Sequence, residues 1–310
     1  SVSGKELVSA PVADVTNAVA GRLPGLLMKQ GSGEPGYDDA DIKIRGISTI
    51  GNSNALVIVD GVERPLSNID PHDIASFTIL KDAASVAPYG LRGANGVILI
   101  TTKRGSDKDG KFSLAYDGRY SWSRVTDQPK ELSGYDWAVM KNAGAVNDGV
   151  AVPYSDDALK KLKDGSDPDH YSNTSVTNQL FKTAKLQQHN LSISGGSKNI
   201  NFFSSLGYLD QNAIWGNVTD YKRYNFRTNV DVRISDYTKF GIDVNMANRD
   251  AQYPGSGGAG FIIFGFWRLN PTNPLYYSDG KPAGYFERNP YLYMRSSGYR
   301  EQNYYYQTLT

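Results

Sequence analysis

The pattern of hydrophobic positions along the chain changes character near Gly105. Before this residue, apolar side chains stand in short continuous runs, such as residues 55–60 and 97–102, which predict fully buried strands. After it, apolar and polar residues alternate, which predicts strands with one apolar and one polar face. We therefore predict two units, residues 1–105 and residues 106–310.

The first unit is predicted to be a small α+β fold. Further short strands are expected at residues 26–29, 42–45 and 77–80, and helices at residues 13–23, from Asp70-Pro71 onward, and at residues 82–89. Three glycines, Gly90, Gly93 and Gly96, separate the last helix from the strand at residues 97–102. We expect positive φ angles or close backbone approach there, because glycine lacks a Cβ atom.

The second unit is predicted to contain five or six strands with alternating faces. The alternation is clearest at residues 111–122, 221–234 and 239–246, with weaker copies at residues 189–194 and 199–209. The polar faces carry Arg223, Arg227, Asp231, Arg233, Lys239 and Asp243. A sandwich of two sheets also produces such alternation, so periodicity alone does not choose between a soluble and a membrane protein.

The lengths of the links between these strands favour an outer-membrane barrel. The links are long at residues 126–186, short at 195–198, intermediate at 211–220, short at 235–236 and long at 251–297. Outer-membrane barrels alternate short periplasmic turns with long extracellular loops. In such a barrel the charged faces would point into the lumen, because charges on the lipid face are costly.

Composition agrees with this class and excludes others. The formal net charge is +1, which gives no electrostatic reason to expect nucleic-acid binding. The chain has 39% hydrophobic residues, 32 glycines and 21 tyrosines, which suits strands with two different faces. Its longest apolar run, residues 259–267, is too short for a transmembrane helix, and it contains no cysteine for disulfides or thiolate metal sites.

Candidate chemistry in the sequence is weak, so we predict neither an enzyme nor a cofactor or metal site. Gly31, Gly33 and Gly36 match G-x-G-x-x-G, but no helix begins there to receive a dinucleotide. The acidic run Asp164, Asp167 and Asp169 lacks the spacing of a calcium loop. His72, His170 and His189 are far apart and form no metal-binding pair. The tyrosine-rich residues 276–306 suit sugar stacking, a membrane-interface girdle or loop packing equally well.

The amino-acid sequence of the first unit resembles that of a known protein family. The stretch FTILKDAASVAPYGLRGANGVILITTKRG, together with AVAGRLPGLL, IKIRG, LVIVDGV and IDPHDIASFTILKDAAS in the same order, is similar to the plug domain of TonB-dependent outer-membrane transporters, in the SusC/RagA form. The resemblance implies an α+β plug domain followed by antiparallel transmembrane β-barrel strands. The family's complete barrel has about 22 strands and a plugged lumen, so we expect the natural chain to extend on both sides of these residues.

By resemblance, the expected function is TonB-dependent import of an oligosaccharide or a peptide across the outer membrane of a Bacteroidota-type bacterium. The implied partners are a SusD-like surface lipoprotein, the TonB–ExbB–ExbD complex acting through a segment absent here, and outer-membrane lipid. A dimer of transporter–lipoprotein pairs is the implied assembly. The alternative is an outer-membrane receptor or adhesin that binds its ligand and signals without transport.

The family topology also implies where substrate would touch the plug. Its outward-facing apices correspond to residues 31–40 and 61–68. The expected substrate contacts are therefore Glu34, Tyr37, Asp38, Asp39, Arg64, Ser67 and Asn68. All of these residue types are also common in ordinary turns.

Overall fold

The computed structural model describes residues 1–310 except 11, 45, 47–52, 108, 129, 174, 256, 285–288, 290–293 and 295–298. Its strands are β1 Val2–Ser3, β2 Leu26–Gln30, β3 Ala40–Ile44, β4 Leu56–Val59, β5 Val62–Glu63, β6 Ile74–Leu80, β7 Val97–Thr102, β8 Phe112–Ser123, β9 Ala184–Gly196, β10 Ile200–Ala213, β11 Gly216–Arg233, β12 Lys239–Pro254 and β13 Tyr299–Leu309. Its α-helices are α1 Gly4–Val8, α2 Val15–Ala18, α3 Ala83–Val86, α4 Gly134–Asn147, α5 Asp156–Asp164, α6 Val176–Leu180 and α7 Ala259–Trp267.

The first seven strands and three helices pack together, and we call residues 1–105, which contain them, the N-terminal unit. Its main sheet has the order β1-β6-β7-β4-β5, in which β4 and β7 run parallel and the other neighbours antiparallel, and β2 pairs with β3 as a separate hairpin. The core is built from the continuous apolar runs of the sequence. Ile74, Phe77, Ile98 and Ile100 on β6 and β7 are at most 1% exposed, and they pack in one cluster with Leu7 of α1.

The helices of the N-terminal unit are shorter than predicted. The helix expected at residues 13–23 is only α2, which begins after Asp14, whose carboxylate accepts from the Thr16 N–H at 2.7 Å. The helix expected at Asp70 is a single 3-10 turn, Pro71–Asp73, because β6 begins at the next residue. The helix expected at residues 82–89 is α3 followed by a 3-10 segment, in which Gly90 has φ 57°. Of the strand predicted at 42–45, residue 45 lies outside the described residues.

The other six strands form one antiparallel sheet, which we call the wall. Its order is β13-β12-β11-β10-β9-β8, with β8 and β13 at its two edges. At one end, the turn end, short connections join β9 to β10 and β11 to β12. At the other, the loop end, lie the segments that contain α4 to α7. Helices α4 and α5 lie in the long segment between β8 and β9, and Ser155 caps α5 by accepting from the Ala158 N–H.

One predicted link was wrong. Residues 211–220 were expected to form an intermediate loop, but β10 and β11 continue to Ala213 and Gly216 and are joined by the two-residue turn Ile214-Trp215. Most residues of this stretch belong to the paired strands. Asn212 donates to Asp220 across the pair at 2.6 Å. The polar stretch therefore lies within the paired strands and does not show where the sheet ends.

Two loop helices were not predicted. Helix α6 is a short segment capped by Ser175, and helix α7 coincides with the longest apolar run of the sequence. Because α7 is apolar on all sides, it lacks the amphipathic period by which surface helices are recognised. One side of α7, including Ile262 and Phe266, packs in a cluster with Trp215 of the β10–β11 turn. Among the described residues, no helix combines the length and hydrophobicity needed to span a bilayer.

Candidate functional site between the N-terminal unit and the wall

The inner face of the wall packs against the N-terminal unit through polar side chains. Periodicity predicted that the charged odd-numbered positions of β11 and β12 share this face, and the structure confirms it for the central ones. Arg223 and Arg227 are 2% and 3% exposed. Arg233 and Lys239, near the turn end, remain exposed, and Arg233 pairs with Asp236 at 2.8 Å. The charged face of the wall is therefore buried only where the N-terminal unit covers it.

A short, enclosed ion pair joins Asp60 to Arg227. Asp60 lies in the turn between β4 and β5 with φ 49°, and its carboxylate is 2.8 Å from Arg227 Nη2. The same carboxylate accepts from the N–H of Thr102 at 3.0 Å and from its hydroxyl at 2.6 Å. Burial alone would raise the pKa of Asp60, but the bonds from Thr102 and Arg227 outweigh it and lower the pKa below its usual value. Asp60 is thus held as a carboxylate.

A second set of contacts centres on His72, in the 3-10 turn before β6. Its Nδ1 is 2.9 Å from Asp70 Oδ1, and its Nε2 is 3.1 Å from Asp117 Oδ1 on β8. Since both ring nitrogens face carboxylates, both act as donors, which requires the imidazolium form. Burial lowers the pKa of His72, but the bonds to Asp70 and Asp117 outweigh it, so the pKa is raised. His72 is 7% exposed and joins the N-terminal unit to Asp117 on the first strand of the wall, whose side chain is half exposed.

The surroundings of His72 contain further ionisable groups. Arg223 Nη2 lies 3.7 Å from Asp70 Oδ2, and the Gln188 amide nitrogen lies 3.3 Å from His72 Nδ1. Asp73 accepts from the Ser205 hydroxyl of β10 at 2.6 Å. Burial and the neighbouring Asp70 raise the pKa of Asp73 to about 6. Asp70 and Asp73 therefore have opposite pKa shifts: the bonds from His72 and the charge of Arg223 outweigh burial at Asp70, whereas Ser205, Arg227 and Lys103 do not outweigh it at Asp73.

The segment that leaves β7 is also tied to the wall. Arg104 Nη1 is 3.1 Å from Asp231 Oδ1, and Arg104 Nη2 is 2.6 Å from Asp243 Oδ2. The next residue, Gly105, lies so close to the backbone of Phe202 that a Cβ atom there would be only 2.3 Å from its nitrogen. The connection between the two units is thus held against β10, β11 and β12.

The predicted contacts in residues 31–40 lie towards the loop end. The Glu34 carboxylate is buried and accepts from the Ala259 N–H, at the start of α7, at 3.1 Å. Tyr37 is 41% exposed, and its hydroxyl donates to Gln302 at 2.8 Å. Asp38 is half-buried, and burial, reinforced by Asp14, raises its pKa to about 6, whereas Asp39 is exposed. Glu34 is therefore already engaged in positioning α7, and Tyr37 and Asp39 are the accessible members of this loop.

The predicted contacts in residues 61–68 lie further along the wall. Arg64 is buried, and its Nη2 is 3.3 Å from the Thr310 hydroxyl. The Asn68 side-chain oxygen accepts from Arg249 at 2.5 Å, and Ser67 is half-buried. The seven predicted residues thus occupy two separate places, and their role as substrate contacts stays a prediction. His72, Asp60 and their wall partners were not predicted, because their pairings join residues distant in sequence.

Within the described residues, no group of three His, Cys, Asp or Glu side chains is arranged to hold a metal ion. Several buried polar atoms at the contact between unit and wall make no hydrogen bond to protein: Asn68 Nδ2, Arg223 Nε, Arg227 Nε and Asn245 Nδ2. Such atoms are rare in the interior of a single folded unit. The N-terminal unit and the wall therefore meet at an interface and do not share one continuous core.

Comparison with known proteins agrees with this architecture. Residues 1–97 match the TonB-dependent Receptor Plug Domain family. The chain resembles TonB-dependent receptor P26 of Formosa agariphila, with 36% identity over 93% of this chain and 28% of that protein, and TonB-dependent receptor SusC of Bacteroides thetaiotaomicron, with 32% identity over 89% and 26%. It spans about a quarter of the length of the curated relatives that it matches.

Solved structures of similar proteins also superpose on this chain. The RagAB peptide importer in its closed-closed state superposes with a TM-score of 0.73 and 26% identity, over 91% of this chain and 34% of that one. The siderophore receptor PirA of Acinetobacter baumannii, with a TM-score of 0.50 and 16% identity over 82% and 32%, shares the fold alone. The fold and the plug match define a TonB-dependent receptor. More particularly, the chain belongs to the SusC- and RagA-like receptors, which are outer-membrane proteins of Bacteroidota.

Proposed function

We propose that the protein imports a nutrient across the outer membrane, with the N-terminal unit acting as the gate of a barrel to which the wall belongs. One observation carries this proposal: the unit has its own apolar core, whereas it meets the wall through ion pairs, hydrogen bonds and one small apolar cluster around Ala13. The main core cluster contains residues between Val2 and Ile100 alone. The unit can therefore shift relative to the wall without exposing that core.

The contacts with the wall set the resistance that an energy source must overcome. Breaking one partner from a buried ion pair such as Asp60–Arg227 costs about 3–5 kcal/mol when the other charge stays buried. Work delivered through the TonB–ExbB–ExbD complex would have to separate several such contacts, including those of His72 and Arg104. A gate of this kind stays shut without energy input and closes again without refolding, because each of its contacts forms between groups that are already positioned.

For the substrate we propose an oligosaccharide or a peptide, held with the help of a SusD-like surface lipoprotein in a dimer of such pairs. A peptide is supported by the similarity to the RagAB structure, which is described as a peptide importer. The oligosaccharide is the other substrate that the family resemblance implies. We propose as plug contacts Glu34, Tyr37, Asp38, Asp39, Arg64, Ser67 and Asn68. Of these, Tyr37 and Asp39 are exposed and available to a ligand from the loop end, whereas Glu34, Arg64 and Asn68 would first have to leave their present partners.

Uptake into the periplasm tests the proposal. Cells that produce the whole protein should accumulate a labelled oligosaccharide or peptide, and deleting TonB should abolish accumulation while leaving binding at the cell surface. Binding that persists in both strains without accumulation in either would contradict import and favour a receptor or adhesin. Turnover of the ligand by the purified protein would instead indicate an enzyme.

A further inference from the structure

Helix α7, at the loop end, begins without a cap from its own segment. Its N-cap residue is Gly258, which has no side chain to accept a hydrogen bond from the first turn. The acceptor comes from the N-terminal unit instead, because the Glu34 carboxylate accepts from the Ala259 N–H at 3.1 Å. Helix α5, by contrast, is capped by the residue that precedes it, Ser155. A residue 225 positions away in the sequence thus caps α7.

The surroundings of this bond fit the carboxylate closely. Glu34 is only 4% exposed. A Cβ atom on Gly258 would lie 2.9 Å from the carboxylate oxygen, so a larger residue there would push the carboxylate away from the helix. Negative charge is favourable at this place, because the free N–H groups and the dipole of a helix attract it at the N-terminus. The glycine N-cap leaves room for a cap from another part of the fold.

The segment that carries this carboxylate is held against the wall at the same place. We call residues 31–40 the apex loop. The Pro35 carbonyl accepts from the Tyr253 hydroxyl at 2.9 Å, and the rings of Tyr37 and Tyr253 lie 5.0 Å apart. Gly36 has φ 80°, and a Cβ atom there would be 2.6 Å from the Tyr253 hydroxyl. The apex loop therefore contacts both the end of β12 and the helix that follows it.

Helix α7 depends on its neighbours for its order. It has nine residues, and helices of this length are marginal in water without packing partners. Its inner side packs with Trp215, while Trp267 on another side is 56% exposed. Three of the four residues between β12 and α7 are glycines, Gly255, Gly257 and Gly258, which allow the helix to change its direction. Its position is thus set by the β10–β11 turn and by Glu34.

We propose that the Glu34 carboxylate couples the position of the N-terminal unit to the order of helix α7. While the unit is seated on the wall, Glu34 caps α7 and the loop end beside it is ordered. When the unit shifts, the carboxylate leaves, α7 loses its cap and this part of the loop end loosens. Coupling of this kind is reciprocal, so displacement of α7 also loosens the apex loop.

The inference rests on the proposed movement of the gate, but its tests need neither ligand nor transport. Amide hydrogen exchange in the whole protein reports the order of α7 and of the apex loop separately. The exchange of β12 serves as a reference in every variant, because protection there shows that the wall is folded. Loss of uptake in the transport experiment bears on import alone, whereas the exchange measurements bear on the coupling alone.

Removal of the carboxylate is the first test. We expect Glu34→Ala to raise exchange across α7 about five- to tenfold, the usual effect of losing a helix cap. Glu34→Gln should recover most of the protection, because its amide oxygen still accepts the bond. Tyr37→Phe is the matched control, since it removes the bond from the apex loop to Gln302 and leaves α7 untouched. Equal exchange of α7 in Glu34→Ala and Tyr37→Phe would overturn the role of Glu34.

Ala259→Pro breaks the same bond from the side of the helix. Proline lacks the N–H that Glu34 accepts, yet it is favoured at the first position of a helix. Gly258 has φ −89° and ψ −173°, an extended conformation of the kind that a residue before proline prefers. We therefore expect α7 to stay helical while exchange of the apex loop rises. Unchanged exchange of the apex loop would overturn the reciprocal coupling.

A variant remote from α7 tests whether the position of the unit is what is transmitted. Arg227→Met removes contacts with Asp60, Thr102 and Asn245, which lie outside α7. Because it weakens the attachment of the unit, it should still raise exchange of α7, by less than Glu34→Ala does. The double variant with Glu34→Ala should exchange no faster in α7 than Glu34→Ala alone. Unchanged exchange of α7 in Arg227→Met, or fully additive effects in the double variant, would overturn the coupling.

Discussion

The N-terminal unit is held together and held in place by two different kinds of interaction. Its interior is apolar, with Leu7, Ile74, Phe77 and Ile100 completely buried, and is insensitive to salt and pH for that reason. Its contact with the wall depends on Asp60–Arg227, Arg104 with its two acids, and His72 between two carboxylates. The folding of the unit and its attachment to the wall are therefore separable, as a gate requires.

The largest effect should come from the core. Phe77→Ala removes a fully buried ring from β6 and should destabilise the N-terminal unit by about 3–5 kcal/mol. Amide hydrogen exchange in the whole protein should then rise throughout β6 and β7, while β11 and β12 remain protected. Ile79→Val, at a half-buried position on the same strand, is a milder control. Equal loss of protection in the wall would contradict the separation.

The next effect should come from the buried ion pair. Arg227→Met leaves Asp60 without its cationic partner, which should weaken the attachment by about 3 kcal/mol. We expect faster exchange in the turn between β4 and β5 without loss of protection in β6. Combining it with Asp60→Asn removes the stranded charge and should recover part of the loss. If the double variant is as weakly attached as Arg227→Met alone, the charge of Asp60 is not the cause.

Attachment should also depend on pH. A raised pKa for His72 means that its stabilising contribution is complete below the ordinary value near 6.5 and disappears as the pH rises through the higher value in the folded protein. Asp73, with a pKa of about 6, acts in the same direction between roughly pH 4 and 6, whereas Asp70, whose pKa is lowered, loses its contribution only in stronger acid. The attachment should therefore weaken as the pH rises.

His72→Gln isolates the histidine's share of that dependence. In this variant, the attachment should no longer weaken as the pH rises above 6.5. The effect should be on the order of 1 kcal/mol, because Asp117 is half exposed and solvent screens the pair. The measurement is hydrogen exchange of residues 70–73, corrected for the intrinsic pH dependence of exchange. Identical profiles in the wild type and the variant would show that His72 does not titrate in this range.

The smallest effect is expected at Arg104. Its side chain is 36% exposed, so Arg104→Ala should weaken attachment by less than about 1 kcal/mol, and by still less at high salt. A salt series on the wild type and the variant measures this contribution. Comparable sensitivity of Arg104→Ala and Arg227→Met to salt would mean that the two pairs are equally exposed to solvent, contrary to their burial.

Much of this architecture was predictable because it follows from local periodicity. Alternation identified five of the six described wall strands, β8 to β12, and the face that carries Arg223 and Arg227, and short apolar runs identified β4, β6 and β7. The turn at Ile214-Trp215 was missed because the polar strand residues around it resemble a loop. Helix α7 was missed because it has no polar side. The pairing of His72 with Asp117 could not be predicted, because the sequence shows which face of a strand is charged but not which residue of another element contacts it.

The most direct test of the gate is a covalent bond between the N-terminal unit and the wall. Asp73 and Ser205 are in hydrogen-bond contact across the interface at 2.6 Å, so Asp73→Cys with Ser205→Cys places two thiols side by side in the whole protein. Uptake of a ligand that the wild type imports should be lost when the disulfide forms and return on reduction, while each single variant imports in both conditions. Undiminished uptake with the disulfide complete would contradict the account.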